Sequence, residues 1–240
     1  MPLTAAAPPP NRRAQHPLSR EVILDGAMAL IEREGPSALS MRRLGAALGV
    51  EAMAIYHHIE SRDVLLTAIG ERLLDPLHEL EHRGDWREAC RRFAIALRQI
   101  AVAHPATFQL LGLQPFDTPV SLEPVERLLG VLVADGFGAA WALAIYRATV
   151  SYARGYALAE ATGFTVDATR AEGRRRLAAL SPDEFPILSG RAPELATLEA
   201  DAAYELGLNA LLTGLGESEG TQWGTGKWGH PGARSPIPPG

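Results

Sequence analysis

The stretch Leu39–Leu66 reads LSMRRLGAALGVEAMAIYHHIESRDVLL, and the fold turns on it. Ser40 suits a helix N-cap, because its hydroxyl can accept one of the unpaired first-turn amides. Met41, Leu44 and Leu48 then repeat at helical spacing. Gly49 follows where the chain must turn left-handed, a conformation only glycine takes cheaply. The pattern predicts a second short helix from about Ala52 to His58 with Ile55 and Ile59 as its buried side, and Ser61 caps a third. Two short helices joined by a Gly-containing turn form a helix-turn-helix. Gly45 is small enough to let the second helix pass close to the first.

Outward from that stretch, the chain is ordinary for a soluble globular protein: 240 residues, 47% apolar and 21% charged. Its net charge of −5 advertises no global basic field, so any contact with nucleic acid must come from one locally positive face. The single cysteine, Cys90, excludes an intrachain disulfide framework and suits a reducing cytoplasm. The N-terminus lacks a signal-type apolar segment. The most apolar run, Leu128 to Tyr146, is broken by Asp135-Gly136 and by Gly138, so it reads as two helices and a turn and not as a membrane span.

The Pro- and Ala-rich residues 1–17 read as a disordered arm whose Arg12 and Arg13, with Arg20, either touch phosphate or the minor groove or are simply solvated. Ser19 opens a helix that Gly35-Pro36 stops. Ser61 to about His82 reads as one long helix bent at Pro76. Asp85 caps the next, whose Trp86, Cys90, Phe93, Leu97 and Ile100 form one apolar stripe. Pro105 ends it, and a short helix covers 106–111. Pro115 to Pro119 reads as loop, Leu122 to Ala134 and Ala139 to Ala161 as helices, Ala168 to Leu180 as a solvated Arg-rich helix, and Glu194 to Leu215 as the last strong helix. Residues 216–240 read as a Gly- and Pro-rich disordered tail. No segment carries a strand period, so the fold class is all-α.

With Gly49-Val50 in the turn, the Ile55-Tyr56 pair, and Ser61-Arg62-Asp63 before Leu65, the stretch resembles the tetracycline-repressor (TetR) family of one-component transcription regulators. The resemblance is tight over about Leu18 to Leu74 and looser over Asp85 to Leu215. Gly45 stands where the family more often has alanine, and Arg62 where lysine is usual. The resemblance implies a helix-turn-helix domain at 18–60, a connecting helix at 61–84 and an effector-binding and dimerisation domain at 85–215. It implies double-stranded DNA, a small-molecule effector and a second copy of the chain as partners.

Groove geometry gives the motif its chemistry. A helix fits the major groove with its N-terminal residues toward the base edges. Ala52, Met53 and Ala54 can meet thymine methyls but cannot donate to guanine. Arg42 is the candidate for reading guanine, since its fork matches O6 and N7, and Arg43 is the weaker one. The resemblance places Tyr56 and His57 against phosphate, sugar or base edges. Arg62 and the Ser61-capped amides hold another phosphate, and Ser40 and Met41 sit at the same face. The alternatives are core packing for Tyr56 and a solvated face for the arginines. His58 reads as a packed, hydrogen-bonded histidine.

One reading head covers few base pairs, so the resemblance implies a symmetric dimer on a palindromic operator. The helices Ala139 to Ala161 and Glu194 to Leu215 are the interface candidates. An apolar cavity is expected between the Ser61 helix, the Trp86 helix and the Leu122 helix, with Phe93, Leu97, Phe108, Leu111, Trp141, Ile145 and Tyr152 as candidate walls. His78 falls on the position that contacts drug in tetracycline-binding members. Their asparagine falls on Phe93 and their second histidine near Leu110, which argues against a magnesium–tetracycline ligand and for a smaller or more apolar effector. Repression is the family's usual mode.

Two other readings compete. His78-Glu79-Leu80-Glu81-His82 matches H-E-x-x-H, which on a helix puts two imidazoles on one face as in zinc proteases. It lies two residues before Gly84 with no obvious third ligand. The other is a DNA-binding module without an effector. No Ser-His-Asp set, phosphate loop or dinucleotide fingerprint is present, so neither enzyme activity nor a cofactor or bound metal is expected.

Overall fold

A computed structural model describes residues 17–81, 83–111, 117–164 and 171–217. Every regular element among them is helical. The arm at 1–16, His82 and the tail from 218 onward lie outside the described residues, as does the side chain of Leu111.

Three helices form the N-terminal head: α1 (Arg20–Glu34), α2 (Met41–Leu48) and α3 (Ala52–Tyr56). Their boundaries follow the capping chemistry. The Ser19 hydroxyl accepts the Val22 amide and the Ser40 hydroxyl accepts the Arg43 amide, each at 3.3 Å. Gly49 closes α2 at φ 73°, in the left-handed region. A methyl on Gly45 would stand 2.8 Å from the Val50 carbonyl oxygen, so the missing side chain is what lets the turn fold back onto α2. Ile23, Ala27, Leu30, Ile31, Leu44, Ile55 and Ile59 fill the head's core. α3 is shorter than the sequence predicts. It ends at Tyr56, and His58 falls in the turn with its side chain exposed instead of packed.

The Ser61 hydroxyl accepts the Val64 amide and starts α4 (Arg62–His78), which runs from the head into the body. α4 stops four residues short of His82. Arg127 donates to the carbonyls of Leu77 at 2.9 Å and His78 at 2.7 Å, the oxygens that a further turn of helix would use. Glu79 caps the helix in a turn and Leu80 is outside any regular element, so the helical continuity that the H-E-x-x-H spacing requires is lost.

The body holds α5 (Trp86–Ala103), α6 (Pro105–Leu111), α7 (Pro119–Ala134), α8 (Ala139–Thr162), α9 (Ala171–Ala178), α10 (Ala192–Leu195) and α11 (Ala200–Glu217). α5 buries Trp86, Cys90, Phe93, Leu97 and Ile100 and packs mainly on α8. α7 begins three residues before the predicted Leu122. Thr118 caps it, and Pro119 sits at the first position, where its absent amide costs nothing. The predicted helix from Glu194 is two elements. The Thr197 hydroxyl donates to the Glu194 carbonyl at 2.7 Å and ends α10, leaving Leu198 exposed, and α11 restarts at Ala200 and continues two residues past Leu215. Arg98 ties α5 to α8 and α11 by donating to Glu160 at 2.7 and 2.8 Å and to Asp201 at 2.7 Å.

Candidate nucleic-acid interface and effector cavity

The outer face of the head carries Arg42, Arg43, Met53, Tyr56, His57 and Arg62, all exposed. Met53 is 67% exposed, which for a large apolar side chain at the start of α3 leaves it available to a groove rather than to the core. Ala52 and Ala54 flank it, half-buried. The two arginines differ. Arg43 pairs with Glu34 at the end of α1, whose carboxyl is held below the usual range chiefly by its hydrogen bond to Arg33. Arg42 projects from the first turn of α2 without an ion pair among the described residues. Ser40 spends its hydroxyl on the cap. Met41 is buried in the head, because it is the first residue of the apolar stripe that Leu44 continues, and so it does not share the exposed side of α2 with Arg42 and Arg43.

The second feature is a cavity of about 260 Å³ inside the body. Leu73, Leu74 and Leu77 of α4 form one wall, Phe93 and Leu97 of α5 another, and Phe108 of α6 closes an end. α7 contributes Ser121, Leu122, Pro124 and Val125, and α8 contributes Leu143, Tyr146, Arg147, Val150 and Arg154. Of the seven expected wall residues, Phe93, Leu97 and Phe108 meet here. Ile145 is fully buried core and Trp141 lies outside the lining. Tyr152 points to the opposite face of α8, where its hydroxyl donates to the Tyr204 carbonyl at 2.8 Å. His78 is just past the cavity, its Nδ1 2.9 Å from a Glu123 carboxylate oxygen.

The sequence reading missed Tyr146, Arg147 and Arg154. The available signal was the spacing Leu143, Arg147, Val150, Arg154, four, three and four residues apart, which sets two arginines on one stripe of an Ala-rich helix. Burial lowers the pKa of Arg154 and raises that of Tyr146, and each partly opposes the other's shift. Tyr146 also meets Phe93 edge-on, with ring centroids 6.2 Å apart.

The head and the cavity are physically joined. α4 carries both the exposed Arg62 and the leucines of the cavity wall. α6 carries Phe108, and its first amides rest on Glu32 of α1.

Comparison with known proteins agrees with this architecture. Residues 23–69 match the model of bacterial regulatory proteins of the tetR family, and residues 79–218 match the tetracyclin repressor-like C-terminal domain. An HTH-type transcriptional regulator of Saccharopolyspora erythraea is 28% identical over 218 residues, covering 90% of this chain and 92% of that protein. The class G tetracycline repressor protein of Vibrio anguillarum is 27% identical, covering 82% and 93%. The crystal structure of a possible TetR family regulator from Streptomyces coelicolor superposes with a TM-score of 0.71 at 29% identity, over 83% of this chain and 99% of that one. ActR of the same organism, in complex with actinorhodin, superposes with a TM-score of 0.67 at 25% identity, over 85% of this chain and 100% of that one. The chain belongs to the TetR family. It is a DNA-binding helix-turn-helix transcription regulator of the repressor type, in a family whose members are generally not enzymes. No helix among the described residues is long and apolar enough to cross a membrane.

Proposed function

We propose that this chain acts in the cytoplasm as a homodimer on a palindromic operator and leaves it when a small organic effector fills the cavity. Arg42 reads a base edge. Met53 and the alanines beside it meet thymine methyls, and Tyr56, His57 and Arg62 hold the backbone. The dimer is built from α8 and α11. Their outward faces carry small side chains such as Ser151 and Gly155, together with Leu206, which is 69% exposed. Two such pairs across a two-fold axis make a four-helix bundle.

The observation that carries this reading is that α4 is at once the support of the head and a wall of the cavity. A ligand that needs the wall displaced favours a state in which the two heads no longer match successive turns of the duplex, and differential affinity for the two states releases the DNA. ActR binds actinorhodin and (S)-DNPA, which supports a ligand-filled cavity in this architecture. Selection of bound DNA from random duplexes tests the proposal. An inverted repeat with half-sites about one helical turn apart is the expected product, and an asymmetric site or no enrichment would refute it.

A further inference from the structure

The last turn of α4 is gripped from α7 by two side chains. Arg127 donates through Nη2 to the carbonyls of Leu77 at 2.9 Å and His78 at 2.7 Å. Glu123, one turn earlier on α7, lies 2.9 Å from His78 Nδ1 through its Oε2. The opposite end of α4 starts at Ser61, beside the head. The same stretch of α7 lines the cavity with Ser121, Leu122, Pro124 and Val125. α7 thus touches both the space and the helix end.

The grip has a second setting that the structure leaves unused. Arg127 Nε is buried without a hydrogen-bond acceptor, and Glu123 Oε1 stands 3.9 Å from it, beyond bonding distance. His78 Nε2 is also buried without a partner. A buried donor left unmade is costly, and one carboxylate stands between the two groups. The Glu123 side chain is 60% exposed, so it can turn from the imidazole to the guanidinium with little desolvation. The contact between α4 and α7 therefore has two discrete arrangements, the property that turns a small shift into a switch.

We infer that Arg127 is the positioning residue that carries effector binding to the head. A ligand that presses on Leu122 and Val125 moves α7, Arg127 draws the last carbonyls of α4 with it, and Glu123 exchanges His78 for Arg127. The inference deepens the reading of the cavity as the effector site and rests on it. It makes α7 the sensing wall and gives α4 its signal from the end farthest from the DNA.

The test uses the full chain, a duplex recovered by selection, and the neutral fluorophore N-phenyl-1-naphthylamine as cavity probe. Coupling between two sites is reciprocal, so in the wild type the duplex weakens probe binding by about tenfold. Arg127→Met keeps the apolar stem and removes both carbonyl bonds. Probe and duplex each bind it alone within about threefold of wild type, and the duplex then shifts probe affinity by less than about twofold. Arg127→Lys, which retains a donor, falls between, and Glu123→Ala at its exposed position lowers the coupling by about threefold. Coupling undiminished in Arg127→Met, or in both Arg127→Lys and Glu123→Ala if the methionine variant does not fold, overturns the latch and leaves the effector cavity standing. Probe and duplex that ignore one another in the wild type, or probe binding undisturbed by Leu97→Trp, overturn the cavity reading and the latch with it.

Discussion

The carboxylate of Glu32, at the end of α1, accepts the backbone amide of Thr107 at 2.8 Å, and its other oxygen accepts that of Ala106 at 3.1 Å. A residue of the DNA-binding head thus caps the first turn of α6, the helix whose Phe108 closes one end of the cavity. An anionic cap satisfies two orphan amides and complements the positive end of the helix. Glu32→Ala removes both bonds and should cost about 1–3 kcal/mol of stability. It should also blunt effector-driven release, because movement of α6 is no longer carried to α1. Glu32→Gln, which keeps one good acceptor, should fall between. Chemical denaturation and effector titration of the DNA complex check the two parts separately.

Arg42 and Arg43 are neighbours with different duties. Arg43 already has a partner in Glu34, whereas Arg42 faces outward from the first turn of α2. Arg42→Ala should weaken binding to the selected operator by about 1–3 kcal/mol and relax one base position. Arg43→Ala should cost less and leave the base preference intact. Binding measured against single-base operator variants distinguishes the two.

Filling the cavity should separate the two halves of the mechanism. Leu97 is 4% exposed and borders the 260 Å³ space, so Leu97→Trp places the added ring where an effector would lie. Operator affinity should stay within about twofold, while release by added ligand is lost. The added volume should cost about 1–3 kcal/mol of stability. Anisotropy titrations with and without ligand give both numbers.

Burial pushes the Cys90 thiol well above the ordinary thiol range, up to about 12, against a smaller opposing effect of the Thr149 hydroxyl. The unfolded chain therefore releases this proton at lower pH than the folded one. Between about pH 9 and 12 the folded state holds more protons, so stability falls as pH rises, with this group contributing up to about 1.4 kcal/mol per pH unit. Tyr204, also raised by burial, adds to the same trend at the upper end. Cys90→Ala should flatten the slope just above pH 9, and native Cys90 should resist alkylation at pH 8 until the protein unfolds. Denaturation across that pH range, with mass measurement of alkylated protein, checks both.

How far the sequence reached depended on whether a feature was local. Ser40, Gly49, Ser61 and Asp85 act within a few residues of themselves, so the first five helix starts and the turn were legible. The end of α4 was not, because it is set by Arg127, a residue of α7 about 50 positions away. Met41 is buried for a related reason: an apolar residue just after a cap joins the buried stripe of its helix. The cavity walls were harder still. α8 presents Ala and aromatic residues all round, and periodicity alone cannot say whether Tyr152 or Tyr146 faces inward. Contact with α11 settles it by giving the Tyr152 hydroxyl its acceptor.

Native mass spectrometry of the full chain on a duplex carrying the selected inverted repeat tests the central claim most directly. The account predicts two subunits per duplex, no complex with one subunit, and loss of the assembly when the duplex carries a single half-site. One subunit bound as firmly to a half-site as to the full repeat, or no complex with any duplex, would contradict it.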